Sequence, residues 1–116
     1  MIIRKLNTVP ESPVDMEGVR GITKQLVLGR ADGVPHFSFR VFTIEQGGHS
    51  PHHSHDVEHL NFVISGRGAL VDGEGRLNPI VAGDFAFVAP GDVHQFRNTG
   101  SSDFVFICVI PNQPHN

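Results

Sequence analysis

The feature that most constrains this chain is the even recurrence of turn-forming clusters. Ala31-Asp32-Gly33, Gln46-Gly47-Gly48, Asp72-Gly73-Glu74-Gly75, Ala82-Gly83-Asp84, Pro90-Gly91-Asp92 and Asn98-Thr99-Gly100 divide it into short apolar or β-branched runs. Those runs are 21–28, 36–45, 67–71, 77–81, 84–89, 93–97 and 104–110. Short strands at such spacing form an antiparallel sandwich or barrel. The segment around 71–77 reads as a hairpin, with Asp72-Gly73 supplying residues that tolerate positive φ. Residues 1–19 read as an N-terminal arm, 20–110 as the barrel and 111–116 as a tail, all within one domain of 116 residues.

Composition narrows the function classes. Hydrophobic residues make up 39% and charged residues 18%, the balance of a soluble globular protein. A formal charge of −3 gives no reason to expect nucleic acid as a partner. No apolar run approaches the roughly 18 residues needed to cross a bilayer, and the opening MIIRKLNTV is too short an apolar run for a secretion signal. A cytoplasmic protein is therefore expected. Cys108 is the only cysteine, so an intrachain disulfide is impossible; within its apolar run it reads as a small buried hydrophobe.

The stretch SPHHSHDVEHLNFVISG, residues 50–66, holds four of the eight histidines. As a helix it would present His55-Asp56-Val57-Glu58-His59, the H-x-x-E-H arrangement of one class of zinc peptidase. Ser50 would cap that helix, Pro51 would open it and Gly66 would end it. As a strand it would place 53, 55, 59, 61 and 63 on one face: three imidazoles, then Asn61 and Val63. The run 60–64 is rich in strand-favouring residues, and its neighbours are all strands. The strand reading explains more.

Two spacings then stand out. Gly47 is followed by His53-Ser54-His55, three residues lead to His59, and six more to Gly66; Gly83, Gly91, His94 and Asn98 follow at fixed intervals. This pair of motifs resembles that of the cupin superfamily, small β-barrels holding a metal in the barrel mouth. The departures are His59 where the family commonly has glutamate, and Ala89 at a proline position, with Pro90 displaced by one. Glu58 is adjacent to His59, but neighbours on a strand point to opposite faces. The resemblance covers residues 47–98 and implies an all-β, cupin-type antiparallel barrel of the double-stranded β-helix or jelly-roll kind.

It also implies that His53, His55, His59 and His94 hold one divalent transition-metal ion, with Mn, Fe, Zn and Ni all candidates. Four neutral ligands would leave the full +2 charge and favour an anionic ligand such as a carboxylate or enolate. Asn61 and Phe96 are expected at the substrate pocket, Asn98 as a turn-stabilising residue, and glycines 47, 66, 83 and 91 at turns. His36, His49, His52 and His115 read as solvated side chains. The function implied is a metal-dependent enzyme of dioxygenase or isomerase type acting on a small anionic substrate. The alternative is a non-catalytic module that captures a small molecule through the metal. Homodimerisation is expected from the same resemblance.

Overall fold

The computed structural model describes residues 1–113. Among these residues nine strands follow in order: β1 (Ser12–Pro13), β2 (Arg20–Leu28), β3 (Phe37–His49), β4 (His59–Ser65), β5 (Arg67–Val71), β6 (Leu77–Val81), β7 (Phe85–Val88), β8 (Gln95–Asn98) and β9 (Phe104–Pro111). Two short 3₁₀ turns, at Leu6–Thr8 and Arg30–Asp32, are the only helical segments among the described residues. The turn clusters fall between strands, because glycine reaches backbone conformations closed to other residues. Gly66 is the sharpest case. Its φ is +82° between β4 and β5, and a Cβ there would collide with the Asp103 carbonyl.

All pairings are antiparallel, in the order β6-β5-β8-β3-β9-β4-β7, with β2 alongside β3. β3 organises the barrel. Its first part, residues 37–44, pairs with β9, and its end, at His49, pairs with Arg97 of β8. The irregularity between Ile44 and His49 bends the strand from one wall into the other. Closure comes from loops. The β6–β7 turn bonds to β4 through Gly83 N to Val63 O (2.9 Å) and Val63 N to Asp84 O (3.0 Å). At the opposite end the β7–β8 loop bonds to residues 53–55.

Alternation decides what faces inward. Register puts Ser38, Arg40, Phe42 and Ile44 of β3 beside Ile110, Cys108, Phe106 and Phe104 of β9, and Asn61 and Val63 of β4 beside Cys108 and Phe106. Ile22, Ile44, Val63, Phe96, Phe104 and Phe106 form the core. Phe106 stacks between Phe96 (centroids 4.3 Å apart) and Phe42 (5.6 Å). Asn98 closes the β8–β9 turn, its amide donating to Ile44 O and Ser102 O (both 2.8 Å) and accepting from Gly100 N (2.9 Å).

The helical alternative at 51–65 is absent; the chain there is a loop followed by β4. Two expectations are revised. The strand begins only at His59, so His53 and His55 lie on the loop, where Pro51 and the bends that follow interrupt regular pairing. In the β5–β6 hairpin the positive φ belongs to Gly75 (83°), not to Asp72-Gly73. Asp72 works through its side chain instead, Oδ1 accepting from the backbone of Glu74 and Arg76, each at 3.0 Å. At the C-terminal end β9 runs to Pro111, and Asn112 N donates to His36 O at 2.8 Å. The remainder of the expected tail, with His115, lies outside the described residues.

Candidate metal centre

Four histidines converge at the end of the barrel closed by the β7–β8 loop. His53 is placed by a two-bond bridge with His94: His53 N to His94 O (3.0 Å) and His94 N to His53 O (2.8 Å). His55 is held by its carbonyl, which accepts from Gly91 N at 2.8 Å. Ser50 fastens the base of this loop, its N donating to Phe96 O (2.9 Å) and its Oγ accepting from Phe96 N (2.8 Å). His59 opens β4 facing inward, 7% exposed. Glu58, one residue earlier, is exposed.

The ring nitrogens have separable roles. His94 Nδ1 lies 2.9 Å from Asp92 O; a carbonyl only accepts, so Nδ1 carries the proton and Nε2 keeps its lone pair. His53 Nε2 and His55 Nε2 face each other at 3.1 Å. Two nitrogens bound at about 2.0–2.1 Å to one ion lie about 2.9 Å apart at a right angle and about 3.4 Å apart at a tetrahedral one. The observed separation falls between these, so the pair fits a shared ion. Ligand atoms of His53, His55 and His94 all lie within 4.8 Å of one another. His59 stands outside that tight set, although its ring stacks on His55 (centroids 4.7 Å) and lies 5.8 Å from His94. Its Nδ1 is 3.6 Å from Cys108 Sγ, which occupies the ring's other side.

Burial keeps the imidazoles of His53, His55 and His59 neutral. Desolvation, reinforced by the neighbouring His55, His94 and His52, lowers the His53 pKa to about 4. Desolvation, with His55, Arg40, His94 and His53, lowers His59 to about 3. His55 is lowered by desolvation, His94 and Arg40, against an opposing effect of Asp56. Neutral imidazole is the ligating form, so all three are ready donors at neutral pH.

The cluster borders a cavity of about 530 Å³ whose walls include Ile22, Phe42, Phe96, Phe106 and Ile110. Phe96 is one of these lining residues. Asn61 faces inward and is 4% exposed, but it is not among the lining residues. Its Nδ2 donates to Ile107 O on β9 at 3.3 Å, and its Oδ1 is buried without a hydrogen-bond partner. His49 and His52 bond to backbone carbonyls, of Ser50 (3.1 Å) and Asp72 (2.8 Å).

Two lining residues were not legible as site residues: Lys24 and Arg40. Arg40 Nη2 donates to Cys108 Sγ at 3.0 Å, and its guanidinium lies 5.0 Å from the centre of the Phe42 ring. Cys108 is therefore buried, as expected, and also sits between Arg40 and His59. The signal was the period-two pattern of β3, which groups Arg40 with Phe42 and Ile44 but does not say which face is inside.

A family model described as "Cupin domain" matches residues 40–110. The chain belongs to the cupin family. It is 30% identical over 114 residues, 95% of this chain and 93% of the relative, to the "Oxalate-binding protein" of Thermotoga maritima. It is 27% identical to "Auxin-binding protein 1" of Arabidopsis thaliana, over 97% of this cupin and 60% of that chain, so it spans under two thirds of that relative. The solved structure of the polyketide cyclase RemF from Streptomyces resistomycificus superposes with a TM-score of 0.92 at 26% identity, covering 98% of this chain and 82% of that one. No helix among the described residues is long and apolar enough to cross a membrane.

Proposed function

We propose that this cupin is a metal-dependent enzyme acting on a small anionic organic substrate, with His53, His55, His59 and His94 as ligands of one divalent transition-metal ion. The observation that carries the reading is the convergence of His53, His55 and His94 ligand atoms within 4.8 Å at the edge of a cavity. A bound divalent ion would supply Lewis-acid polarisation of a substrate oxygen. The chain's own residues do the rest. The Asp92 carbonyl fixes the His94 tautomer, and Cys108 holds the His59 ring from its outer side. The phenylalanine walls exclude water, which strengthens every charge interaction inside. The oxalate-binding relative supports an anionic ligand, and the likeness to a polyketide cyclase supports catalysis.

A second reading, a binding module without chemistry, is favoured by one observation. Among the described residues the only carboxylate lining the cavity is that of Asp56, which is exposed, so none of them offers a buried carboxylate as a general base. Homodimerisation is part of the proposal too. It is supported by an apolar outer sheet face on which Phe85 is 81% exposed, Phe87 65% and Leu60 50%.

Elemental analysis of untagged protein tests the metal reading. About one divalent metal per chain is expected, sharply reduced in His94→Ala. A wild type without metal, even after reconstitution with Mn, Fe, Zn or Ni, overturns it. Oxygen uptake by the reconstituted protein with candidate carboxylates then separates dioxygenase from isomerase chemistry.

A further inference from the structure

The cavity carries a cation that no described residue neutralises with an ion pair. Arg40 points inward from β3, and no carboxylate among the described residues makes a salt bridge with it; the ion pairs found join Arg4 to Asp32 and Arg76 to Glu74. Its contacts are a cysteine sulfur and a phenylalanine face, and its Nε is buried without a hydrogen-bond partner. A buried, unpaired donor on a charged group is costly and rare in a folded chain. A single sulfur atom, Cys108 Sγ, separates this guanidinium from the His59 ring. An oxyanion at this position would complete Arg40's hydrogen bonding and still reach the histidine cluster.

The rest of the cavity describes the other end of such a ligand. At about 530 Å³ it lies within the range of pockets that enclose drug-sized molecules. A two-carbon dianion would leave most of it unfilled. Phe42, Phe106 and Phe96 form a stacked aromatic wall, with interplanar angles of 28° and 18°. Val14, Met16, Val19, Ile22 and Ile110 add aliphatic surface. A wall of this kind favours a flat apolar body.

We propose that Arg40 anchors the carboxylate of a substrate with a planar apolar body, holding that head beside the histidine cluster while the body packs against Phe42, Phe106 and Phe96. This rests on the metal-site reading above and names the substrate class that site takes. Lys24, also on the wall, adds to the positive potential that draws the anion in. The guanidinium fork supplies paired donors matched to a carboxylate.

Calorimetric titration of the full chain, metal-free and zinc-loaded, with 2-naphthoate, 2-naphthamide and oxalate tests the proposal. In metal-free protein, where Arg40 bonds the charged head directly and Lys24 acts only through longer-range attraction, 2-naphthoate should bind about ten- to a hundredfold more tightly than the amide. Arg40→Ala should erase that preference, and zinc content by elemental analysis should stay at the wild-type level. Arg40→Gln, close in volume and uncharged, should do the same if the alanine variant fails to fold. Oxalate should bind more weakly than 2-naphthoate. Equal binding of naphthoate and amide to metal-free protein, binding of neither, persistence of the preference in both variants, or tighter binding of oxalate would each overturn the proposal. Failure of the metal reading looks different: wild-type protein would take up no zinc while the Arg40-dependent preference persisted.

Discussion

The two faces of the β3-β9-β4-β7 wall reverse the usual rule that apolar side chains face in. One row of its inner face is Arg40, Cys108 and Asn61, polar or polarisable and enclosed. The row behind it on the outer face is Phe39, Val109, Leu60 and Phe87, all apolar; Val109 is half-buried and the other three are exposed. The next rows restore order inside, with Ile44, Phe104, Phe106 and Val63 in the core. The barrel is therefore conventional at one end and inverted at the other. The inverted end is where the histidines gather. The difference teaches that the alternation of a strand marks two faces, while what each face packs against decides what it must be.

Breaking the conventional end should cost the most. Phe104 is 0% exposed, and Phe104→Ala is expected to destabilise the fold by about 3–5 kcal/mol in urea unfolding. Asn98→Ala comes next. It leaves Ile44 O, Ser102 O and Gly100 N without their side-chain partner, at about 1–3 kcal/mol for the buried group, readable by thermal melting. The outer face is tested by Phe87→Asp. If that face joins two copies, sedimentation should show a dimer at least about thirtyfold weaker, the equivalent of a 2 kcal/mol contact. Metal content should not change, because Phe87 points away from the cavity.

The inverted inner face should also be sensitive to acid. The pKa values of His53 and His59 are lowered to about 4 and about 3, below the ordinary 6.5. Between those values the unfolded chain binds protons that the folded one refuses, so unfolding gains as pH falls. Thermal melts of metal-free protein should hold their midpoint above about pH 6.5 and decline progressively below it. The smallest effect is expected at Glu58. It is exposed and on the outer side of His59, so Glu58→Gln should change stability by no more than about 0.5 kcal/mol.

Much of this was legible because turn chemistry is local. The apolar runs at 67–71 and 77–81 coincide with β5 and β6, and 21–28 misses β2 by one residue, since glycine, proline and aspartate clusters stop strands through their own backbone preferences. The inward placement of His59, Asn61 and Val63 likewise follows from period-two alternation. The loop carrying His53 and His55 was not visible as a loop, because its conformation is imposed by hydrogen bonds to Gly91 and His94, far along the chain. Arg40 was missed for a related reason. On β3 the odd positions Phe37, Phe39 and Val41 are the more apolar set, so hydrophobicity favours turning them inward. In the barrel Ser38, Arg40, Phe42 and Ile44 face inward, and Phe37 and Phe39 are exposed. Only the register with β9 distinguishes the two.

The central claim is that loop and strand histidines meet on the inner face and hold one ion there. Titration with Co²⁺, followed by its visible absorption, tests this most directly in wild type, His59→Ala and Glu58→Gln. The account predicts saturation at one equivalent in wild type and in Glu58→Gln, with binding in His59→Ala weakened at least about a hundredfold, beyond what loss of an outer partner does. Binding that survives in His59→Ala and disappears in Glu58→Gln would mean that the ion takes the carboxylate from the other face, and would contradict it.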